Sequence, residues 1–343
     1  MLKIVPRISV RSLVSVTCVV LVATSVAAMT AGATTQKNAS AKTAAAPCPA
    51  KGTKIGYSPL EMSYEWFTYV VQGVQAEANR CGVTLIVSDP GGDATKQANQ
   101  LQNMVTAGVK AIGLMPNDHK AVVPAVKQAL SAGVKMVEQD IGFTGAQGVV
   151  AVSNFQEGYG IGKIGAQWLR KSKPNEASYQ VALLNSDSLG ASLITRRKGL
   201  IAGLKAGLAG HPYKLVANQE ASLEPKALDV ATTILVKNPH VDLFLTVNDV
   251  SALGATEAIQ AAGLKPGVDA AAVGSATVRV LKDIVAGKIP GGMLIPGIGS
   301  GKTVADAMFY LLAGRKPGFT LPELAIPVTT VAQAKQWLKT NGN

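Results

Sequence analysis

From residue 54 onward, short β-branched runs alternate along the chain with amphipathic stretches. In the stretch 95–107, Leu101 and Met104 fall on one face at helical spacing, which predicts a helix with a buried side. Asp93 is a suitable N-cap for this helix, and Gly108 is a suitable stop. The strands predicted in this first part are 54–58, 84–88, 111–115, 135–138 and 149–152, and the helices are 64–80, 95–107 and 121–132.

The same alternation restarts after residue 152. Strands and helices that alternate at these lengths predict parallel sheets with right-handed crossovers. Two consecutive sets favour an α/β fold of two Rossmann-like, doubly wound lobes over one eight-stranded barrel. The predicted strands of the second set are 181–184, 215–217, 243–246 and 271–273, and the helices are 158–170, 192–206, 226–236, 251–262 and 277–286.

The amino terminus has the pattern of a secretory signal peptide. Three basic residues precede an apolar run at 13–28, and a small-residue A-x-A sequence follows at 31–33. Polar residues interrupt the run, which favours cleavage over the alternative of an uncleaved membrane anchor. We therefore predict a signal peptide at 1–33, a flexible lead-in at 34–50, and a periplasmic protein with no stable membrane insertion after cleavage.

Charge and cysteine content narrow the classes of partner. The formal net charge is +12, but Lys and Arg are scattered and no basic patch is interleaved with aromatic residues, so we expect no nucleic-acid partner. Cys48 precedes the first predicted strand, and Cys81 ends the first predicted helix. These two places lie at one edge of a βαβ unit, so an exported chain is expected to join them in a disulfide; two unrelated thiols are the alternative.

The sequence offers little that points to an enzyme. His119, His211 and His240 are isolated and lack metal-ligand spacing, and no serine stands in a G-x-S-x-G elbow. The stretch 296–303 resembles a phosphate-binding loop, but Pro296 occupies the position of the first required glycine. We interpret this stretch as a hinge followed by a capped helix. We predict no catalytic residues, no metal and no cofactor.

An ordered series of residues resembles the ribose- and galactose-type periplasmic binding proteins, from about residue 52 to the end of the chain. The series comprises Ile55-Gly56-Tyr57-Ser58, Trp66-Phe67, Gly73, Ala76-Glu77, Gly82-Val83, Asp89, Asp93 to Gln97, Gly108 to Ile112, Ala132-Gly133-Val134, Asp140, Arg196, Gly199, Val247-Asn248-Asp249 and Gly254-Ala255.

The resemblance implies two lobes joined by a three-crossover hinge, with crossings near Ser153–Asn154, Ile295–Pro296 and Leu321–Pro322. The N-terminal lobe would be 51–153 plus 296–321, and the C-terminal lobe 154–295 plus 322–343. It also implies a monomeric receptor that closes on a small molecule and delivers it to the permease of an ABC importer. A sensory receptor that presents its ligand to a chemoreceptor or sensor kinase remains the alternative.

The resemblance also implies ligand-binding residues, which would lie in loops at the carboxyl ends of the strands. Trp66 and Phe67 match an aromatic pair that packs on the flat face of a sugar ring. Asp140 and Asn248 match residues that accept ligand hydroxyls. The weaker candidates are Tyr64, Glu65 and Asn185. Arg196 matches a structural arginine, and Asp249 is expected to be structural.

Several positions depart from the sugar-binding pattern. Ile141, Ala276, Ile295 and Ile194 stand where these relatives carry arginine, aspartate, glutamine and arginine, respectively. Each hydroxyl left unpaired would cost roughly 1–3 kcal/mol. The ligand is therefore expected to be a sugar or sugar-like molecule with fewer hydroxyls, and an aromatic or other non-sugar ligand remains open.

Overall fold

The computed structural model describes residues 45–140 and 145–341. The predicted signal peptide, most of the predicted lead-in and Ile141 lie outside these ranges. The described strands are β1 (Lys54–Ser58), β2 (Thr84–Val87), β3 (Ala111–Leu114), β4 (Lys135–Gln139), β5 (Gly148–Ala151), β6 (Tyr179–Asn185), β7 (Tyr213–Glu220), β8 (Leu243–Thr246), β9 (Ala271–Ala276), β10 (Gly292–Leu294), β11 (Phe319–Pro322) and β12 (Ile326–Val328). The described α-helices are α1 (Glu65–Cys81), α2 (Ala94–Thr106), α3 (Val123–Ser131), α4 (Asn154–Ser172), α5 (Ala191–Leu208), α6 (Glu224–Lys237), α7 (Asp249–Ala261), α8 (Val278–Val285), α9 (Gly297–Leu312) and α10 (Val331–Asn341).

The strands form two six-stranded sheets. The first has the order β11-β5-β4-β3-β1-β2, and the second has the order β12-β10-β9-β8-β6-β7. Pairing is parallel throughout except between β10 and β12. In the first sheet the register places Gly56 beside Ile86 on one side and Ile112 on the other. The predicted fold class of two doubly wound α/β lobes is confirmed. We call the first sheet with α1, α2, α3 and α9 the first lobe, and the second sheet with the other helices the second lobe.

Three connections pass from one sheet to the other: between β5 and α4, between β10 and α9, and between β11 and β12. The expected crossings at Ser153–Asn154 and Ile295–Pro296 lie within the first two connections. The expected crossing at Leu321–Pro322 lies at the last residues of β11, just before the third. The exact division into two domains stays a prediction.

Glycines let two pairs of helices approach closely. A Cβ added to Gly301 of α9 would lie 1.9 Å from the Val70 carbonyl oxygen of α1. In the second lobe, a Cβ on Gly158 of α4 would lie 2.0 Å from the Arg196 carbonyl oxygen of α5. Side chains larger than hydrogen would force these helices apart, because packed interiors leave no space for extra atoms. Gly297 and Gly301 thus serve the packing of α9 on α1, whereas Gly299 does not. Helix α9 begins at Gly297 without a side-chain cap, so the prediction of a capped helix was wrong.

The Cys48–Cys81 disulfide is present, with 5.2 Å between the two Cα atoms. It ties the segment before β1 to the last residue of α1. The end of the predicted lead-in is packed against the same helix pair, because Ala46 is buried and its carbonyl accepts from Arg80. Its N–H also donates to Asp306 of α9. Residues 45–50 are therefore part of the first lobe.

Most predicted elements agree with the structure to within a few residues at each end. Asp93 caps α2 by accepting from the backbone N–H groups of Thr95 and Lys96. The sequence analysis did not identify the elements after residue 315, namely β11, β12 and α10. These strands are only three to four residues long and partly exposed, so they carry little periodic signal.

Candidate ligand-binding site

A cavity of about 120 Å³ lies where the carboxyl ends of the two sheets face each other. Open parallel sheets bind ligands at this edge, at the point where the strand order reverses. The volume is well below the roughly 300–1,000 Å³ of pockets for drug-sized molecules, so it fits a small ligand. The described lining residues are Leu60, Tyr64, Trp66, Phe67, Met115, Gln139, Asp140, Val152, Glu157, Leu189, Leu193, Arg196, Asn248, Asp249, Ser275, Ala276, Thr277, Ile295 and Glu323.

Aromatic side chains from the start of α1 form one wall. Phe67 is buried, and its ring packs edge-on against the half-buried Trp66 ring with centroids 5.0 Å apart. The Trp66 indole N–H donates to the carbonyl of Ile295 at 2.9 Å, in the second connection between the sheets. Tyr64 is buried beside them, and burial together with nearby Glu61 raises its pKa to about 12. These rings present a rigid apolar face to the cavity.

Asp140 follows β4 and joins the first lobe to two helices of the second. One of its carboxylate oxygens accepts from the Asn154 amide at 2.6 Å, and the other accepts from the Ser192 hydroxyl. Its φ of 120° is rare for a residue other than glycine and costs roughly 1–3 kcal/mol. Such strain clusters at functional sites, where the surrounding structure holds it in place.

An ion pair lies behind Asp140 in the second lobe. The Arg196 guanidinium lies 2.8 Å from a carboxylate oxygen of the fully buried Glu157 and also donates to the Asn154 side-chain carbonyl at 2.7 Å. The Ser275 hydroxyl donates to Glu157 at 2.6 Å. Burial raises the pKa of Glu157, and Arg196 opposes this rise. The pair orients Asn154, which in turn donates to Asp140.

A further carboxyl group, that of the partly exposed Glu323, lies at the third connection between the sheets. Glu323 accepts from the Ser300 hydroxyl of α9, and the Gln139 amide lies 3.5 Å away. Gln139 is held in place because it donates to Ser300 at 2.7 Å and accepts from the Tyr57 hydroxyl at 2.6 Å. Burial raises the pKa of Glu323 to about 7, and the nearby Asp140 carboxylate contributes to the rise.

The amino terminus of α7 supplies the polar groups on the facing side. Asn248 caps this helix by accepting from Ser251 N–H at 2.9 Å, and its amide donates to the carbonyl of Ser222 at 3.1 Å. Asp249 is buried beside it, and burial raises the pKa of its carboxyl group. The hydroxyl of Thr277 lies close enough to lower that pKa, although it makes no well-aligned hydrogen bond.

The structure brings Tyr64, Trp66, Phe67, Asp140 and Asn248 together around the cavity. Their roles as ligand-binding residues stay predictions.

Asn185 is not among the described residues that line the cavity. Its amide donates to Asn218 at 2.8 Å, and its side-chain oxygen accepts from the Asp187 N–H. It therefore fastens the loop after β6 to the edge strand β7.

Five lining residues with polar side chains were not predicted from the sequence: Gln139, Glu157, Ser275, Thr277 and Glu323. Gln139 and Ser275 are at the carboxyl ends of β4 and β9, a position that could have marked them. Arg196 and Asp249, expected to be structural, also line the cavity.

Two of the departures from the sugar-binding pattern lie in the cavity wall. Ala276 ends β9 and Ile295 follows β10, and both are buried. Ala276 thus has a methyl group where the sugar-binding pattern has aspartate, and Ile295 has a branched alkyl group where the pattern has glutamine. This part of the wall offers no side-chain hydrogen bond to a ligand.

None of the helices in the described ranges is both long and apolar enough to cross a membrane. Within the same ranges, no three His, Cys, Asp or Glu side chains are grouped so that they could hold a metal ion.

Comparison with known proteins defines the class. The periplasmic binding protein domain matches residues 55–316, so the chain belongs to this family of solute-binding proteins. The predicted class of solute-binding receptor is confirmed.

Among its relatives, the ribose import binding protein RbsB of Escherichia coli K12 is 28% identical over 242 residues, which are 70% of this chain and 76% of the relative. The D-xylose-binding periplasmic protein of Haemophilus influenzae is 26% identical over 249 residues, covering 68% and 74% of the two chains.

Solved structures share the fold. A galactofuranose binding protein superposes with a TM-score of 0.75 at 22% identity, covering 85% of this chain and 99% of that one. The Caulobacter myo-inositol binding protein, solved with myo-inositol, has a TM-score of 0.71 at 25% identity, covering 84% and 97%.

Proposed function

We propose that the protein is a periplasmic receptor that binds a small sugar or cyclic polyol and delivers it to an ABC importer. The observation that carries the proposal is the small cavity between the facing sheets, where the aromatic wall of Trp66 and Phe67 stands opposite carboxylate and amide groups. Aromatic faces suit the C–H face of a sugar ring, and carboxylates accept its hydroxyls. The sugar-binding names of the relatives point to the same class of ligand.

The cavity favours a sugar with few free hydroxyls. Ala276 and Ile295 cannot accept hydrogen bonds through their side chains, and both oxygens of Asp140 already have protein partners. Each carboxylate oxygen can still accept a second hydrogen bond, but a ligand hydroxyl that faces Ala276 or Ile295 instead remains unpaired, and each unpaired group costs roughly 1–3 kcal/mol. A deoxysugar or an alkylated sugar avoids part of this cost.

Delivery rests on closure of the two lobes around the ligand. The bonds from Asp140 to Asn154 and Ser192 join the lobes beside the cavity, and the permease would recognise the lobes closed around the ligand. The three connections between the sheets serve as the hinge. The protein acts by binding alone, with no chemical step.

A thermal-shift screen followed by isothermal titration calorimetry tests this proposal. The ligands are ribose, allose, xylose, galactose, myo-inositol and their deoxy forms. At least one is expected to raise the melting temperature and to bind stoichiometrically. Trp66→Ala should weaken that binding by a factor of roughly 10–100, since a buried aromatic ring contributes about 1.5–3 kcal/mol.

The matched control is Phe155→Ala, because Phe155 is an aromatic residue of α4 that is 39% exposed and lies outside the cavity lining. It should bind like the wild type. If no sugar or polyol binds, or if Trp66→Ala binds as tightly as the control variant, the proposal is wrong.

A further inference from the structure

A second cavity of about 180 Å³ adjoins the ligand cavity at the hinge. The two cavities have four lining residues in common: Trp66, Ala276, Thr277 and Ile295. A ligand that contacts these four residues from the first cavity therefore lies directly beside the second.

The two cavities differ in chemistry. Four carboxylic acids line the first cavity, whereas none is among the described residues that line the second. The second cavity is bounded by three aromatic side chains, Trp66, Tyr69 and Trp337, together with apolar residues of the hinge. Its one charged lining residue among those described is Lys302, which is exposed. Such a space favours a flat apolar group over a hydroxylated ring.

The four shared residues form the boundary that a substituent would have to cross. Ala276 contributes only a methyl group there, and the Trp66 ring is fixed by its bond to the Ile295 carbonyl. The hydroxyl of Thr277 is buried at the same point without a well-aligned hydrogen-bond partner. A buried hydroxyl normally has a partner, and a ligand oxygen at the junction would provide one.

We propose that the site is bipartite, with the sugar ring in the first cavity and a planar apolar aglycone in the second. The cargo class is then an aryl glycoside or a similar glycoside, whose glycosidic oxygen lies beside the Thr277 hydroxyl. This inference rests on the proposed function, since it presupposes that the first cavity holds the sugar ring.

Isothermal titration calorimetry with matched glycosides tests the inference. The probes are the methyl and phenyl glycosides of ribose, allose and galactose. For the sugar that binds, the phenyl glycoside should bind roughly 10- to 100-fold tighter than the methyl glycoside, because the second cavity would remove the apolar ring from water.

Two variants locate the added affinity. Tyr69 lines the second cavity but not the first, and its hydroxyl donates to Glu65. Tyr69→Ala should remove most of the preference for phenyl over methyl while leaving the affinity for the methyl glycoside unchanged. Tyr69→Phe should keep the preference, because it retains the ring.

The outcomes separate this inference from the proposed function. If methyl glycosides bind and phenyl glycosides bind no tighter, the bipartite site is wrong and the sugar receptor stands. A preference that persists in full in Tyr69→Ala would also overturn the bipartite site, since the ring would then bind elsewhere. If neither free sugars nor glycosides bind, the proposed function fails, and this inference fails with it.

Discussion

Replacing Glu323 by glutamine should make the stability of the protein less dependent on pH. Glu323 is partly exposed, but its carboxyl group is enclosed at the third connection between the lobes, where Ser300 and Gln139 surround it. Burial is the main cause of its raised pKa, and the Asp140 and Glu157 carboxylates raise it further. Glutamine has nearly the same shape and carries no proton that titrates in this range.

The magnitude follows from the pKa of Glu323 in the two states. The pKa rises from an ordinary value of 4.5 to about 7 on folding. This interval corresponds to about 3 kcal/mol, because each tenfold change in proton affinity is worth about 1.4 kcal/mol. Since the folded-state pKa is the higher one, this stabilisation is fully present below pH 4.5. It is lost as the pH rises from 4.5 through about 7, where the folded protein must bury the charge.

Urea denaturation between pH 4.5 and pH 8 measures the effect. The free energy of unfolding of the wild type should fall by up to about 3 kcal/mol relative to Glu323→Gln over this range. The buried Asp249 is present in both proteins and is not among the groups that raise the pKa of Glu323, so its contribution cancels in the difference, whereas the interaction of Glu157 with Glu323 is part of the effect measured. Glu176→Gln, at an exposed position, should follow the wild type at every pH. A difference between wild type and Glu323→Gln that does not change with pH would refute the assignment.

Two further predictions concern the first lobe. Reduction of the Cys48–Cys81 disulfide, which spans 33 residues, should lower the free energy of unfolding by about 3–4 kcal/mol. Denaturation with and without dithiothreitol measures this change. The double Cys→Ser variant is the control, because its stability should not respond to the reductant. Gly301→Ala should destabilise the protein by roughly 1–3 kcal/mol, because its methyl group would collide with the Val70 carbonyl. Gly299→Ala is the control in the same helix, because its methyl group would meet no atom closer than 3.6 Å and the change should be neutral or slightly stabilising. Equal unfolding midpoints for the two variants would contradict the packing argument.

Local patterns predicted most of the fold because the physical rules behind them are local. The strand 54–58 agrees with β1 at both ends, since an apolar run after a polar turn needs no distant information. Asp93 could be assigned as a cap because its partners are two and three residues away. By contrast, β11 is held in place by pairing with β5, which lies about 170 residues earlier, and a single sequence does not show such pairing.

The site could be predicted in its aromatic part and less well in its polar part. Trp66 was predicted from the resemblance to the sugar-binding proteins, and it lies after β1, at the edge where open sheets bind ligands. The ion pair of Arg196 and Glu157 joins α5 to α4, and a single sequence does not show that these two residues are in contact. Asn185 also lies at the carboxyl end of a strand, but its side chain donates to Asn218 instead of facing the cavity. The sequence does not show the direction of this side chain.

Small-angle X-ray scattering with and without ligand tests the central claim most directly. The claim is that a small sugar binds between the two lobes and draws them together. A sugar that raises the melting temperature should also reduce the radius of gyration when it saturates the protein, and Trp66→Ala at the same sugar concentration should show a smaller reduction. A sugar that binds at saturation and leaves the radius of gyration unchanged would contradict the account.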